Sequence, residues 1–345
     1  MDMGIALEPL GDEEDAPLAD LAGDTAAAIE ELRAEARVAA EASRAPSSER
    51  AYAADWRDFS AFATRIGRER LPAEPETVAL YVADLRRRGR RPATIARKLA
   101  AIAVYHGSTG HATPTSHDVV RAVVRGTRRQ LGVAQQQKTA LELDALRAVL
   151  AAIPEDLRGL RDRVALLVGW AAALRRSELA ALDISDVAYE REGMVLAIRR
   201  SKTDREAAGD VVAVPYGAEE ATCPVRTLRR WLDAAAITNG RVLRRVDRHG
   251  NIGAALSDRA LANMVAARAA AAGLDGDFAA HSLRSGFATA AARAGRLEAA
   301  IVRHGRWKSV QVARRYIRAG TRWDDPISGC RLRKTTRCSP PARPR

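Results

Sequence analysis

Six side chains in the second half of the chain have the chemistry to act together on one substrate. They provide positive charge, a proton-transfer group, an indole N–H and a hydroxyl nucleophile: Arg175, Lys202, His281, Arg284, Trp307 and Tyr316. Each alone has an ordinary explanation. Arg175 and Glu178 lie three residues apart, as do His281 and Arg284, and such pairs are usually solvated neighbours on one helix face. Taken together as an ordered set, and without a carboxylate cluster, the six residues favour chemistry on a phosphodiester.

The residue types match what a phosphodiester requires. Two guanidinium forks can hold the non-bridging oxygens and the extra negative charge of a pentavalent transition state. A tyrosine hydroxyl, with its pKa of ~10, becomes a nucleophile once a base removes its proton and nearby cations favour the phenolate. A lysine ammonium can protonate the departing oxygen. Because a tyrosine ester retains the energy of the broken bond, no cofactor, metal or nucleotide is expected.

Composition excludes several other classes of protein. The three cysteines, Cys223, Cys330 and Cys338, have no paired spacing, which argues against a disulfide framework or a four-cysteine zinc site. No apolar run approaches the ~18 residues of a membrane span, and the N-terminus lacks a signal-peptide pattern. We therefore expect a cytoplasmic protein that does not associate with a membrane.

Charge is distributed unevenly along the 345 residues. The formal net charge is +13, yet the first 31 residues contain ten acidic residues and no Lys or Arg. The rest of the chain therefore has 33 acidic residues against 56 basic ones. A basic body of this kind favours a nucleic-acid partner, although a coding bias towards Ala and Arg would give a similar composition. The acidic segment serves either solubility, which we favour, or competition with phosphate for the basic surface.

The first half of the chain has the spacing of four amphipathic helices. Ser47 and Ser48 are residues that cap helices well, and a first helix is expected after them. Proline at the first helical position costs nothing, so helices are predicted to begin at Pro75 and Pro92. A fourth helix is predicted with Ser116 as its cap. The faces expected to be buried are Tyr52, Trp56, Phe59, Ala63 and Ile66; Val78, Tyr81, Val82 and Leu85; Ile95, Leu99 and Ile102; Val119, Val120 and Val123.

The second half of the chain mixes helices with a small sheet. Three short strands are predicted at Val187–Tyr189, Met194–Ile198 and Val211–Val214, with Lys202 in a hairpin turn. Helices are expected near 142–152, 157–175, 223–236, 257–272, 281–294, 297–305 and 308–318. The predicted fold class is therefore mainly α: an N-terminal four-helix domain, followed by an α-rich domain with a small three-stranded β-sheet. We expect the acidic N-terminus and the Pro-containing basic tail to be largely unfolded.

The ordered set of residues resembles that of the tyrosine recombinases, the phage integrase family, and most closely its Cre-type members. The first arginine box of that family, Leu-Arg-x-x-Glu-Leu, is matched by Leu174–Leu179, and its hairpin lysine by Lys202. Its His-x-x-Arg box is matched by His281–Arg284. The Gly-x-Trp segment of the Cre type, with its nucleophile nine residues beyond the Trp, is matched by Gly305–Trp307 and Tyr316. Many integrases have a second His where this chain has Trp307, and His304 does not occupy that position.

The resemblance implies a fold, a reaction and a role for each residue. The four-helix domain corresponds to a SAM-like core-binding domain. Tyr316 attacks a DNA phosphate to give a 3′-phosphotyrosyl link, Lys202 acts as general acid, and His281 accepts the tyrosine proton or bonds the phosphate. The other roles are transition-state stabilisation by Arg175 and Arg284, an indole N–H donated to phosphate by Trp307, and positioning by Glu178. The resemblance also implies four protomers acting on two double-stranded DNA sites.

Composition, helix spacing and the placement of basic residues predict the domain boundaries and the DNA contacts. We expect an acidic extension over 1–44, a core-binding domain over 45–131, a linker over 132–139, a catalytic domain over 140–320 and a basic tail over 321–345. The tail, interrupted by Gly320, Pro326 and Gly329, departs from the docking helix that such recombinases carry there. The start of the 257–272 helix resembles the Cre helix that enters the major groove. The expected DNA contacts are Arg87, Arg90, Arg91 and Lys98, with Arg259 and Arg268 on that helix.

Two other functions use part of the same features. A type IB topoisomerase-like enzyme has the same chemistry but religates the original strand, and the separate four-helix domain argues against it. A DNA-binding protein without catalysis needs only the basic surface, and the filled set of six positions argues against that. Among the recombinase reactions, the sequence leaves integration, excision, inversion and resolution open.

Overall fold

The structure is a computed structural model, and it describes residues 25, 27–35, 46–132, 138–199 and 209–322. The acidic residues 1–24, the segment 200–208 that contains Lys202, and the tail beyond 322 lie outside the described residues. The chain divides into two compact units, residues 1–135 and 136–345. Residues 27–35 are helical.

Among the described residues of the first unit there are four α-helices besides that short stretch. These are α1 (Pro46–Arg65), α2 (Pro75–Arg87), α3 (Pro92–Ser108) and α4 (Asp118–Leu131). Proline occupies the first turn of α2 and α3, as predicted. Their apolar faces meet in one core, which confirms most of the predicted burial; its fully buried members include Phe59, Ala63, Val78, Tyr81, Val82, Leu85, Ile95, Ile102 and Val120.

The start of α4 differs from the prediction. Ser116 ends a short 3₁₀ turn, and the cap of α4 is His117, whose Nδ1 accepts a hydrogen bond from the Val119 backbone N–H at 3.3 Å. In this helix Val120 is buried, while Val119 is 48% exposed. Ile66 also lies outside the core, just beyond the end of α1. The predictions for Ser116, Val119 and Ile66 were therefore wrong. The predicted caps Ser47 and Ser48 were wrong as well, because α1 already begins at Pro46 and both serines lie in its first turn.

The second unit is built around helix α6. Its helices are α5 (Leu143–Ala151), α6 (Leu157–Ala171), α7 (Arg176–Ala181), α8 (Pro224–Ala234), α9 (Asp258–Ala271), α10 (Ala280–Arg293), α11 (Glu298–Gly305) and α12 (Val310–Gly320). Helix α6 is buried almost throughout, from Val164 to Gly169 without interruption. Helix α10 lies so close to the segment before α5 that a Cβ on Gly286 would come within 1.9 Å of the Leu141 carbonyl oxygen. Only glycine permits that contact.

Two small sheets complete the second unit. Strands β1 (Val187–Tyr189), β2 (Gly193–Ile198) and β3 (Asp210–Pro215) form the predicted antiparallel sheet, with Met194 paired to both Tyr189 and Val214. A second antiparallel pair, β4 (Arg244–Val246) and β5 (Ile252–Ala255), was not predicted. The mainly helical fold class with a three-stranded sheet is confirmed. None of the described helices is long and apolar enough to cross a bilayer.

Candidate active site

Most of the predicted set converges in the second unit. A cleft of ≈ 580 Å³ is lined by Arg175, His281, Arg284 and Trp307, together with basic residues such as Lys308. Tyr316 joins the set through a hydrogen bond to His281. Five of the six predicted catalytic side chains are thus brought together from four separate stretches of chain, and Lys202 lies outside the described residues.

Arg175 is held at a break between two helices. Helix α6 ends at Ala171, four residues earlier than predicted, and the backbone turns through a left-handed residue at Ala173 (φ 46°). Arg175 is therefore the N-cap of α7, so its link to Glu178 is a cap contact. The Arg175 backbone N–H donates to Glu178 Oε2 at 2.9 Å, and its guanidinium Nη1 donates to Oε1 at 2.5 Å. Glu178 thereby fixes both the backbone and the side chain of Arg175.

Arg284 is buried, with an exposed fraction of 1%, and points its guanidinium into the cleft wall. Its Nη1 donates to the Ala173 carbonyl oxygen at 2.5 Å, and its Cζ lies 4.1 Å from the centre of the Trp307 ring. Its buried Nη2 has no hydrogen-bond partner. Burial, and then repulsion from Arg175, lower the pKa of Arg284 to about 9. The guanidinium is still protonated at neutral pH and offers an unused donor to an anion.

His281 and Tyr316 form a proton-transfer pair. His281 Nε2 lies 2.9 Å from Tyr316 Oη. Burial, and then the positive charges of Arg284 and Arg175, lower the pKa of His281 below its ordinary value, so the ring is neutral at pH 7. Burial raises the pKa of Tyr316, although Arg284 opposes the shift, so the phenol is protonated. A neutral imidazole beside a protonated phenol can accept the proton that the phenol must lose to react.

Positive charge exceeds negative charge around these atoms. Glu178 accepts from the guanidinium groups of both Arg175 and Arg306, and Arg284 lies alongside. Burial alone would raise the pKa of Glu178, but the bonds from Arg175 and the charge of Arg306 hold it below its ordinary value. Three guanidinium groups thus lie near one carboxylate, which bonds only the two of Arg175 and Arg306. In the described part of the chain, no group of His, Cys, Asp and Glu residues is arranged to hold a metal ion.

The family model for the phage integrase family matches residues 139–322, which contain this site and more than half of the chain. The chain belongs to the phage integrase family. Members of this family are tyrosine recombinases, so the chain is a DNA breaking–rejoining enzyme that carries out site-specific recombination.

Individual relatives extend the match beyond the catalytic unit. The recombinase is 35% identical over 302 residues to an integrase/recombinase XerD homolog of Selenomonas ruminantium, which covers 86% of this chain and 88% of the relative. It is 26% identical to the Cre recombinase of Escherichia phage P1, with 76% and 81% of the two chains covered. A crystal structure of a lambda integrase dimer bound to a core site has the same fold, with a TM-score of 0.56 at 16% identity and 89% and 97% coverage.

Helix α12 holds the tyrosine of this recombinase against its own histidine. Arg314 on α12 donates two hydrogen bonds, at 3.1 Å and 2.9 Å, to Glu298 Oε1 at the start of α11. Thr289 Oγ1 on α10 donates to the Tyr316 carbonyl oxygen at 3.4 Å. Trp307 and Ala313 pack in a small apolar cluster between the same helices. These contacts fix the direction of α12 and so place Tyr316 Oη beside His281.

Two residues next to Trp307 have roles that the sequence did not reveal. His304 Nε2 lies 2.8 Å from the Ala171 carbonyl oxygen, and its ring stacks on Phe287, so it closes the end of α6 and stays outside the reacting set. Arg306 is nine-tenths buried and contacts Glu178. The sequence offered one signal for Arg306, namely that it is the middle residue of the Gly-x-Trp segment. Because that motif accepts any residue at the middle position, it gives no reason to select Arg306 as functional.

Four of the six predicted DNA contacts are exposed. The Arg87 side chain is 83% exposed even though its Nη2 lies 3.2 Å from Asp84. Arg90 and Arg91 are exposed between α2 and α3, and Arg259 is exposed in the first turn of α9. All four are accessible to a large anionic partner.

The structure contradicts the other two predicted contacts, Lys98 and Arg268. Lys98 is 7% exposed, and its Nζ lies 3.1 Å from Asp55 Oδ1 and 2.8 Å from Asp58 Oδ2. Arg268 directs both Nε and Nη2 to Asp162 Oδ2 at 2.8 Å. Each cation is paired with a buried carboxylate of another helix, and it would have to give up that ion pair to reach a phosphate.

Proposed function

We propose that this recombinase cuts and rejoins specific DNA sites through a 3′-phosphotyrosyl intermediate formed by Tyr316. The observation that carries the proposal is the 2.9 Å contact between Tyr316 Oη and a neutral His281 beside the buried, unpartnered Nη2 of Arg284. That arrangement supplies a nucleophile, a base for its proton and a donor for the phosphate. The resemblance of the whole catalytic set to tyrosine recombinases assigns the reaction.

Residues of the active site account for each bond and each proton in the proposed step. Tyr316 Oη forms a bond to phosphorus while the bond from phosphorus to the 5′ oxygen breaks. The phenol proton passes to His281 Nε2, and Lys202 supplies a proton to the departing 5′ oxygen. Arg175 and Arg284 hold the non-bridging oxygens, whose charge grows in the transition state. The Trp307 indole N–H donates to one of them. A 5′ hydroxyl from another strand reverses the step.

The proposed domain organisation assigns DNA binding to both halves of the chain. Residues 45–131 form the core-binding domain, 132–139 the linker and 140–320 the catalytic domain, flanked by the acidic extension 1–44 and the basic tail 321–345. The division into two compact units and the family match over 139–322 support this assignment. Arg87, Arg90, Arg91 and Arg259 contact double-stranded DNA, and four protomers act on two sites.

The experiment that tests the proposal removes one oxygen. A duplex enriched from a randomised library by wild-type binding, with a nick that lets the 5′ fragment leave, should trap a covalent protein–DNA adduct in the presence of EDTA. Tyr316→Phe should form no adduct while retaining DNA affinity, because the ring and its packing remain. Tyr216→Phe is the matched control, since Arg226 still stacks on the remaining ring. An adduct that persists in Tyr316→Phe, or one that requires a divalent metal, would contradict the mechanism.

A further inference from the structure

Arg306 occupies a backbone position that an arginine does not favour. It follows α11 with φ 55° and ψ 46°, the left-handed region. That conformation is unfavourable for a residue with a side chain, while glycine adopts it freely. The side chain is nonetheless only 5% exposed. The strain and the burial of a charged group are both unfavourable, so contacts made by this arginine must offset them.

The contacts of Arg306 all lie around Arg175 and Glu178. Its Nη2 donates to Glu178 Oε2 at 2.9 Å, and its Nη1 donates to the carbonyl oxygens of Ala172 at 3.3 Å and His304 at 3.1 Å. In the other direction, the Arg306 carbonyl oxygen accepts from Arg175 Nη2 at 3.0 Å. Arg306 therefore touches Arg175 through its backbone and Glu178 through its side chain.

We propose that Arg306 is a positioning residue for Arg175, a role that rests on the proposed function because it acts through a catalytic arginine. Glu178 binds Arg175 with Oε1 and with Oε2, and Oε2 is shared with Arg306. The Arg306 guanidinium holds the Glu178 carboxylate in place. It also neutralises negative charge of Glu178 that Arg175 alone would otherwise balance. Arg175 thus keeps both its orientation and its attraction for a phosphate oxygen.

A purely structural role for Arg306 makes a different prediction. Its bonds to the Ala172 and His304 carbonyl oxygens satisfy acceptors that the ends of α6 and α11 leave open. If that were its whole contribution, its loss would lower the free energy of unfolding and leave the cleavage rate of the folded protein unchanged. The two roles are separated by measuring stability, DNA affinity and single-turnover cleavage on the same variants.

The variant that isolates the side chain is Arg306→Gly. Glycine relieves the left-handed strain and keeps the carbonyl that accepts from Arg175, so the fold should survive. We expect adduct formation on the nicked duplex to slow by ~100-fold, as for a slightly misplaced catalytic group, with DNA affinity unchanged. Millimolar guanidinium chloride should restore part of the rate, and equal sodium chloride should not. Arg303→Ala, which removes an exposed charge from the same helix, is the matched control.

A double-mutant cycle tests whether Arg306 acts through Arg175. In an Arg175→Lys background, the added change Arg306→Gly should slow cleavage much less than it does in wild type. Full additivity, a wild-type rate in Arg306→Gly, or a loss confined to stability would overturn the inference. Arg306→Lys replaces Arg306→Gly in this test if the glycine variant does not fold. The rate of the lysine variant should lie between the rates of wild type and Arg306→Gly. A wild-type enzyme that forms no adduct would instead refute the proposed function.

Discussion

The substitution Gly305→Ala should disable the site through one methyl group. Gly305 is the last residue of α11, and a Cβ built on it lies 1.7 Å from Trp307 Cζ3 and 2.2 Å from Cε3. To reach an ordinary contact distance, the indole must retreat by roughly 2 Å. Because the backbone at Gly305 has an ordinary helical conformation, the whole effect comes from this collision.

The magnitude follows from what the indole touches. The Trp307 ring lies 4.1 Å from the Arg284 guanidinium and 6.3 Å from the Tyr316 ring, and it is 9% exposed. A displacement of this size in the wall of the site should slow cleavage by ~100-fold. Overpacking of the same kind typically lowers the free energy of unfolding by about 1–3 kcal/mol.

The assay combines single-turnover adduct formation with thermal unfolding. Gly126→Ala is the matched control: it lies within α4 in the other unit, and nothing stands within 4 Å of its added Cβ. This control should keep the wild-type rate and gain up to about 1 kcal/mol of stability from helix propensity. A Gly305→Ala enzyme that cleaves at the wild-type rate would show that the position of Trp307 does not matter.

Two further predictions concern proton transfer and buried charge. His281 is the proposed base, and burial together with the charges of Arg284 and Arg175 holds its pKa below the ordinary value. The single-turnover rate should therefore decline on acidification, at a lower pH than that at which a solvent-exposed histidine titrates; a rate that rises on acidification would exclude the base role. Lys98→Met should lower the free energy of unfolding by about 1.5–3 kcal/mol, because it removes one charged partner of Asp55 and Asp58 while Arg97 still bonds Asp55 and Arg88 still bonds Asp58. By contrast, Arg90→Ala should spare stability and reduce the salt dependence of DNA binding by about 0.9 in log–log slope. If Lys98→Met had normal stability but lost DNA affinity, the prediction that Lys98 contacts a DNA phosphate would be correct after all.

Local signals in the sequence predict most of the helices. Pro75 and Pro92 begin helices because their fixed φ suits the first turn, and the apolar spacing after each gives the buried face. The β4–β5 hairpin carries no such signal. Its strands are three and four residues long, and its turn depends on the Asp247 carboxylate, which accepts from the backbone N–H groups of His249 and Asn251. Neither strand, Arg-Arg-Val or Ile-Gly-Ala-Ala, has the β-branched and aromatic content of the equally short β1, Val-Ala-Tyr.

Contacts between distant segments explain what the sequence could not show about charged residues. Lys98 looks like any solvated lysine on a helix, and only the packing of α1 against α3 reveals that Asp55 and Asp58 face it. The partner of Arg306 within the site was equally hidden from the sequence, because Glu178 is 128 residues away along the chain. The spacing of a motif identifies which residues belong to a reaction, whereas the partners that hold them depend on tertiary structure.

The excess of guanidinium groups in the cleft also affects how this enzyme can be stabilised. The pKa of Arg284, lowered by burial to about 9 and so well below that of an ordinary guanidinium, means that keeping it charged at neutral pH disfavours folding by an amount on the order of several kcal/mol. A bound phosphodiester offsets that penalty, so DNA acts as a stabilising ligand. A screen for thermostable variants carried out on the free protein would favour apolar replacements at these arginines. Such a screen needs DNA present, or it will enrich proteins that fold well and no longer cut.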